Sequence, residues 1–369
     1  VGVTRLDANR LRQAKLSYTA RHVATEFPAT NLAGIGLLNK PPEPGDLVLA
    51  EVLSIGHLKA LEAPTGRRAE LHVGDEIIAC YADRYAPDVF EAEVPADLSA
   101  CHLVAAGGIV GSVTARHDAV GTPTALAPAG LLTTRDGEVL NLRRWALPEL
   151  PPTDPAPPVI AVAGTAMNSG KTTTATMLIR GLSKAGLRVG AAKLTGTGSG
   201  RDIWRMRDAG ATLALDFTDA GYPSTYRVKG DEVLSIARLL LHALAGARVD
   251  AIVIEIADGL IQQETRALLE LPEFADLVDT TLFASYDALG ASAGVQRLAL
   301  AGYQVTAVSG MLTCSPLMRA EASDITGLPV LTPDELATPG IATSVARLGA
   351  AVGSLPAGGG AMLASPASP

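Results

Sequence analysis

The segment 159–185 constrains this chain more than any other, because it joins a short apolar run, a glycine-bounded loop and an amphipathic stretch. The run Val159-Ile160-Ala161-Val162-Ala163 is continuously apolar and partly β-branched, as a central strand buried on both faces must be. The loop ends Ser169-Gly170-Lys171-Thr172-Thr173. From Lys171 the period changes, with Met177, Leu178 and Leu182 on one helical face and a stop near Gly186. A loop feeding a helix in this way aims successive backbone N–H groups at an anion, with the positive end of the helix dipole behind them. Gly170 permits close approach of the backbone. Lys171 suits the β- and γ-phosphates of a nucleoside triphosphate, and the Thr172 hydroxyl suits Mg²⁺. Gly164, Thr165 and Asn168 join these as expected phosphate contacts.

Gly164 and Gly170 enclose five residues, Thr165-Ala166-Met167-Asn168-Ser169, where the standard P-loop has four. A five-residue loop opening Gly-Thr resembles that of dethiobiotin synthetase and its relatives, in the branch of P-loop proteins that includes the cobyrinic acid amide synthases. The resemblance continues into a strand expected over 187–194, which carries Lys193 near its end, followed by Thr195-Gly196-Thr197-Gly198-Ser199-Gly200. It implies a substrate-binding role for Lys193, with Thr195 and Gly196 beside it. A compact ammonium there suits a transferred phosphoryl group or an anionic substrate; the plainer alternative is a solvated lysine at a strand end. Farther on, Ala251-Ile252-Val253-Ile254-Glu255 reads as another buried strand, followed by Ile256-Ala257-Asp258-Gly259. By the same resemblance Glu255 coordinates Mg²⁺, against the alternative of an acid that merely caps a strand. Asp258 stands where the family usually has glycine, and adds a ligand or a substrate contact. Lys171, Lys193, Glu255 and Asp258 are the expected catalytic set.

Strands expected over 280–285, 304–309 and 328–331, with a helix over 291–301, continue the alternation of strand and helix. The fold class is therefore α/β, a P-loop NTPase-like and mostly parallel sheet with helices on both faces, whose site lies along the carboxyl ends of the strands. Ser309-Gly310-Met311-Leu312-Thr313 carries no base-reading signature; ATP is expected over GTP from the resemblance alone.

Between Lys193 and Glu255 lies a polar block, Arg201-Asp202-Ile203-Trp204-Arg205-Met206-Arg207-Asp208, then Asp216-Phe217-Thr218-Asp219-Ala220-Gly221-Tyr222-Pro223. Its mixture of charge, hydroxyls and aromatics suits a substrate pocket that includes Tyr222. Asp202 and Asp219 suit a metal or a general base, and Arg201 and Arg205 suit a bidentate grip on a carboxylate. A solvated helix followed by a proline turn is the alternative. The Lys193–Gly200 stretch, this block and Glu255 are also similar to the DUF1611 group, which includes enzymes that acetylate D-glutamate on a P-loop scaffold. That group usually has Thr-Gly-Gln-Thr-Gly and Glu-Gly-Gln-Gly where this chain has Thr195-Gly196-Thr197-Gly198 and Glu255-Ile256-Ala257-Asp258. Both resemblances cover about residues 158–335.

Residues 1–147 have another texture, with turn signals such as Gly45-Asp46 and Gly74-Asp75 each preceding a short strand. Strands are expected at 47–52, 69–73, 76–81, 89–94 and 103–106, together a smaller β-rich domain, barrel or sandwich. Residues 9–22 read as an irregular or helical arm. Arg84, Tyr85 and Asp88 cluster after one strand, either as a lid over the nucleotide site or simply as a satisfied loop. Residues 148–158 contain six prolines and read as a semi-rigid linker to a P-loop domain over 159–340. From 353 to 369 there is little to bury, and a disordered tail is expected.

A formal charge of −8 and a pI near 5.3 argue against a nucleic-acid surface, and no apolar run of membrane-spanning length or export signal stands out. Cys80, Cys101 and Cys314 are scattered, which fits a reducing cytoplasm and offers no metal spacing. The expected activity is an ATP- and Mg²⁺-dependent enzyme, a ligase or phosphotransferase, acting on a small anionic substrate such as a carboxylate or amino acid, in a homodimer. Two alternatives remain. One is an acetyl-CoA-dependent N-acyltransferase; the other is a nucleotide switch or metallochaperone, whose members often carry an extra lysine early in the loop, where Thr165, Ala166 and Met167 stand here.

Overall fold

The computed structural model describes residues 3–4, 8–25, 32–36, 41–134 and 136–352. In the N-terminal part, β1 (Leu47–Ser54), β2 (Glu76–Tyr81), β3 (Phe90–Glu93), β4 (Cys101–Ala105), β5 (Ile109–Arg116) and β6 (Thr124–Thr134) build one sheet. β6 pairs with β1, β1 with β2, β2 with β5, β5 with β4, and β4 returns to β6. The pairing therefore closes on itself as a small barrel, which leaves no free edge among these five strands. Alternate residues serve different layers. Val48, Ala50, Ile77 and Ala79 join one core, while Leu47, Leu49, Ile78 and Cys80 join another under the helix Ala8–Gln13. Burial on both sides explains why the start of β1 is apolar without a break.

Several expectations need correction here. The strand expected over 69–73 is the three-residue Arg68–Glu70, paired with Ala60–Glu62 in a separate ribbon. β5 and β6 escaped the sequence patterns because glycine and proline interrupt them, and both shift register where they pair. The expected arm holds the Ala8–Gln13 helix, Lys15–Leu16 paired with β2, and a 3-10 turn over Arg21–Thr25. Between the 3-10 turn Leu142–Trp145 and Val159 the described chain has neither helix nor strand.

The second sheet contains β7 (Val159–Gly164), β8 (Val189–Lys193), β9 (Ala211–Asp216), β10 (Ala251–Glu255), β11 (Thr280–Ala284) and β12 (Val305–Ser309). Its order is β9-β8-β10-β7-β11-β12, and every adjacent pair is parallel. Helices α1 (Lys171–Lys184), α2 (Gly200–Asp208), α3 (Gly230–Gly246), α4 (Ala288–Leu300) and α5 (Pro339–Val352) lie among its crossovers and at its end. Along β7, Ile160 and Val162 pack with Leu178, Ile179 and Leu182 of α1, whereas Val159, Ala161 and Ala163 face Leu240 and Leu244 of α3. Helices thus cover both faces. The fold is a P-loop NTPase-like α/β sheet preceded by a smaller β-rich unit.

The polar block 201–208 is the helix α2, with Ile203 and Met206 turned into the core, and the edge strand β9 follows it unforeseen. The strand expected over 328–331 reduces to a single bridge between Val308 and Val330. Pro329 lacks an N–H for the ladder, and Thr332 already caps the next helix. The unit runs beyond 340, since α5 seats Ala342 and Val345 on the α1 layer. The tail expected from 353 lies outside the described residues. Among the described residues no helix is long and apolar enough to cross a membrane.

Candidate phosphate site

Sheet register assembles the site. Val162 of β7 pairs with Glu255 at the end of β10, and Lys193 at the end of β8 also pairs with Glu255. The chain leaves β7, passes over β10 and returns as β8, so the crevice beside β7 and β10 is where the strand order reverses, the usual ligand position in such sheets. The loop after β7 fills this crevice. Gly170 precedes α1 with φ 102° and ψ 7°, a left-handed conformation, and a Cβ there would stand 2.8 Å from Gly310 Cα. Only glycine suits both the twist and the space. Asn168 is also left-handed, with φ 62°.

Lys171 is 5% exposed, and its ammonium donates to the carbonyl oxygen of Ala166 at 2.7 Å and to that of Asp258. Burial holds its pKa below the ordinary lysine value, opposed by the carboxylates of Glu255 and Asp258. The Thr172 hydroxyl donates to Glu255 Oε1 at 2.8 Å. Glu255 Oε2 is buried with no hydrogen-bond partner among the described residues. Burial raises the Glu255 carboxyl above its usual range; Lys193 pulls it back. Asp258 is raised for the same reason, with Lys193, Lys171 and Arg84 opposing.

Lys193 and Asp202 form an ion pair beside these groups, with side chains 13% and 18% exposed. Burial works against the Lys193 ammonium, but Asp202 and Glu255 outweigh it and the pKa rises. Burial likewise works against the Asp202 carboxylate, and Lys193 prevails and lowers it. Asp202, expected as a metal ligand, pairs through Oδ2 with Lys193 and lines the same cavity as Thr172 and Glu255. Lys193 is not the solvated lysine of the plainer alternative.

A cavity of about 830 Å³ opens above these residues, and the N-terminal β-rich unit supplies its far wall. His57, Lys59, Arg68 and Arg84 line that wall; Arg201 and Arg205 line the near side. The first three were missed, because they carry no motif of their own. The basic turn Thr65-Gly66-Arg67-Arg68 was the only local signal. Arg205 donates to Thr173 Oγ1 at 3.2 Å, tying α2 to the first turn of α1. The Arg84 cluster reaches the loop itself, since Asn168 Nδ2 donates to Asp88 Oδ2 at 2.8 Å. Burial pushes the Arg84 guanidinium down to about 10, against the pull of Asp88 and Asp258.

Four expected substrate contacts are not in the lining of this cavity. Thr195 is 1% exposed and donates to the carbonyl of Ala257, so it braces the turn after β10. Gly196 pairs through its backbone with Thr225, its N–H donating to Thr225 Oγ1 at 2.8 Å, at a small crevice beside Asp258. Asp219 binds Arg21 at 2.5 Å and accepts from Asp216 N–H, joining the arm to the end of β9. Tyr222 faces a separate surface, its ring under the Arg143 guanidinium at 5.3 Å and its hydroxyl 3.3 Å from Glu232. Ser169 and Thr165 stay in the loop, each with a buried hydroxyl that has no partner among the described residues, and Gly164 ends β7 beneath them. Among the described residues no group of three His, Cys, Asp or Glu side chains could hold a metal by itself.

Residues 159–265 match the family described as molybdopterin guanine dinucleotide synthesis protein B (MobB). No curated protein matches. Similar solved structures include the signal recognition particle 54 kDa protein from Aeropyrum pernix K1 in complex with GDP, at 20% identity and a TM-score of 0.36, covering 55% of this chain and 48% of that one. The signal recognition particle receptor FtsY from Elizabethkingia anophelis in complex with GDP is 16% identical with a TM-score of 0.33, covering 53% and 66%. The kinase domain of the Escherichia coli tyrosine kinase ETK is 15% identical with a TM-score of 0.32, covering 42% and 66%. This chain therefore spans about half the length of the first of these proteins, and its family match covers the strand-loop-helix and the sheet through Glu255.

Proposed function

We propose that the loop holds the phosphates of a nucleoside triphosphate with Mg²⁺, and that the cavity above it takes a small anionic substrate to be phosphorylated or activated for ligation. The observation that carries this reading is the meeting, on one cavity floor, of the left-handed Gly170, the Lys171 ammonium and the Thr172–Glu255 pair. Thr172 Oγ1 and the partnerless Glu255 Oε2 are hard oxygen donors, a set that fits Mg²⁺ held jointly with phosphate oxygens. When bound, Mg²⁺ neutralises charge on those oxygens.

The chain's own residues divide the remaining work. The N–H groups at the start of α1 cradle the phosphates, and Lys171, already steered by two carbonyls, lies where the bridging charge falls. Lys193, aligned by Asp202, supplies a second cation, while Arg201 and Arg205 with Lys59 and Arg68 make the cavity wall attractive to a carboxylate.

The decisive experiment is thermal unfolding against ATP, GTP and acetyl-CoA, with and without Mg²⁺, for the protein and Lys171→Ala. GTP belongs in the set because the matching family is described by a guanine dinucleotide. A triphosphate at 100 times its Kd should stabilise the protein by about 2.7 kcal/mol, and Lys171→Ala should lose that gain. Stabilisation by acetyl-CoA alone would transfer the site to the acyltransferase alternative. No stabilisation by any triphosphate would refute the proposal.

A further inference from the structure

We infer that Arg84, carried by the N-terminal β-rich unit, is a ligand for the terminal phosphoryl oxygens of the nucleotide held on the loop, so that this unit completes the site. This rests on the proposed nucleotide reading and deepens it. Arg84 lines the same cavity as Lys171 and Asp258, and its Nε and Nη1 are buried with no hydrogen-bond partner among the described residues. A guanidinium is charged at any physiological pH, and leaving its donors buried and unmatched is costly unless an anion arrives to meet them. The nearby acids do not meet that need. Asp88 accepts from Asn168 Nδ2, and neither Asp88 nor Asp258 accepts from Arg84 Nε or Nη1.

The placement is rigid. Arg84 N–H donates to the Ala92 carbonyl at 2.8 Å and its own carbonyl accepts from Ala92 N–H at 3.0 Å, while Asp83 Oδ1 accepts from Val94 N–H at 2.7 Å. The segment 85–93 is docked on the P-loop unit. The Tyr85 ring lies 5.6 Å from that of Tyr226, the Tyr226 hydroxyl donates to Glu91 at 2.8 Å, and Arg227 pairs with Glu93 at 2.5 Å. Asp88 meets the loop at Asn168, the Lys171 head bonds the carbonyl of Asp258, and Arg84 lines one cavity with Asn168, Lys171 and Asp258. That is the terminal-phosphate end of such a loop, where a planar fork matches phosphoryl oxygens.

The test compares triphosphate and diphosphate binding by calorimetry, with Mg²⁺, for the full chain and Arg84→Met. Triphosphate affinity should fall about 10- to 150-fold while diphosphate affinity stays within about threefold, the change expected when one charge-assisted contact to the terminal group is lost. The nucleotide-free variant should melt no lower than the parent, since an unmatched buried charge has been removed. A merely structural arginine would instead lower the melting temperature and leave the triphosphate-to-diphosphate ratio alone. If Arg84→Met fails to fold, Arg84→Lys keeps the charge without the fork, and should still weaken the triphosphate selectively. An unchanged ratio in a variant that binds nucleotide overturns this inference alone; a parent protein that binds neither nucleotide overturns the phosphate site and this inference together.

Discussion

Replacing Gly170 with alanine tests the loop conformation in isolation from its chemistry. At φ 102° an L-residue is strained by about 1–2 kcal/mol, the usual cost of a left-handed conformation. A Cβ would also stand 2.8 Å from Gly310 Cα and 3.2 Å from both Gly310 C and Met311 N, all backbone atoms, and such overpacking costs about 1–3 kcal/mol more. Gly186 is the matched control. Its φ is 87°, but nothing lies within 4 Å of its added Cβ, so Gly186→Ala carries the conformational cost alone. Restriction of the unfolded chain is common to both and cancels. Gly170→Ala should thus be less stable than Gly186→Ala by about 1–3 kcal/mol, or roughly 2–12 °C in melting temperature for a unit of this size.

Binding should separate the two variants further. Met311 N–H donates to the Ser169 carbonyl at 3.0 Å, so relief of the clash must displace the backbone of the proposed phosphate loop. Scanning calorimetry with a triphosphate titration reads both effects: Gly170→Ala should lose most of its affinity and Gly186→Ala should bind as the parent does. Equal destabilisation in the two variants, or unchanged affinity in Gly170→Ala, would refute the reasoning.

Glu255→Gln should abolish the Mg²⁺ dependence of triphosphate affinity, measured by titration with and without the ion. Because the native Glu255 pKa is raised, its contribution to stability is fully present below the unfolded value of about 4.3 and is lost as pH rises through the native value; the variant should lack that loss in denaturant melts from pH 4 to 8. Asp202→Asn leaves the Lys193 ammonium buried without its partner, which should cost about 3–5 kcal/mol, much of it recovered by adding Lys193→Met; a single variant as stable as the parent would refute the pairing. Asp202 is lowered and Lys193 raised, so the pair's contribution should hold across neutral pH, failing only in acid as pH falls through the native Asp202 value and in alkali as it rises through the native Lys193 value. Tyr18→Phe removes a hydroxyl that donates to the buried Asp216 at 2.9 Å, and should cost about 1–3 kcal/mol in urea unfolding without changing triphosphate affinity; a loss of affinity would place the arm in the site.

The sequence alone carried whatever depends on near neighbours. A continuous apolar run, a glycine at the helix entry and a 3.6-residue stripe after it are short-range signals, and β7, the loop and α1 were legible from them. So were the ends of β8 and β10, since a lysine or a glutamate closing an apolar run is itself local. The interrupted β5 and β6, the half-exposed β9 and the lone bridge at Val330 were not, because pairing with distant strands rather than their own pattern holds them. Only the tertiary structure decided which polar residues share a cavity. It brought Asp88 to Asn168 across 80 positions and Asp258 to Lys171 across 87, paired Asp202 with Lys193, and turned Asp219 toward Arg21, 198 positions away. A side chain's type and spacing state what it can bind; the packing of a closed barrel against a parallel sheet determines what it meets, because burial and the nearest opposite charge are set by segments far apart along the chain.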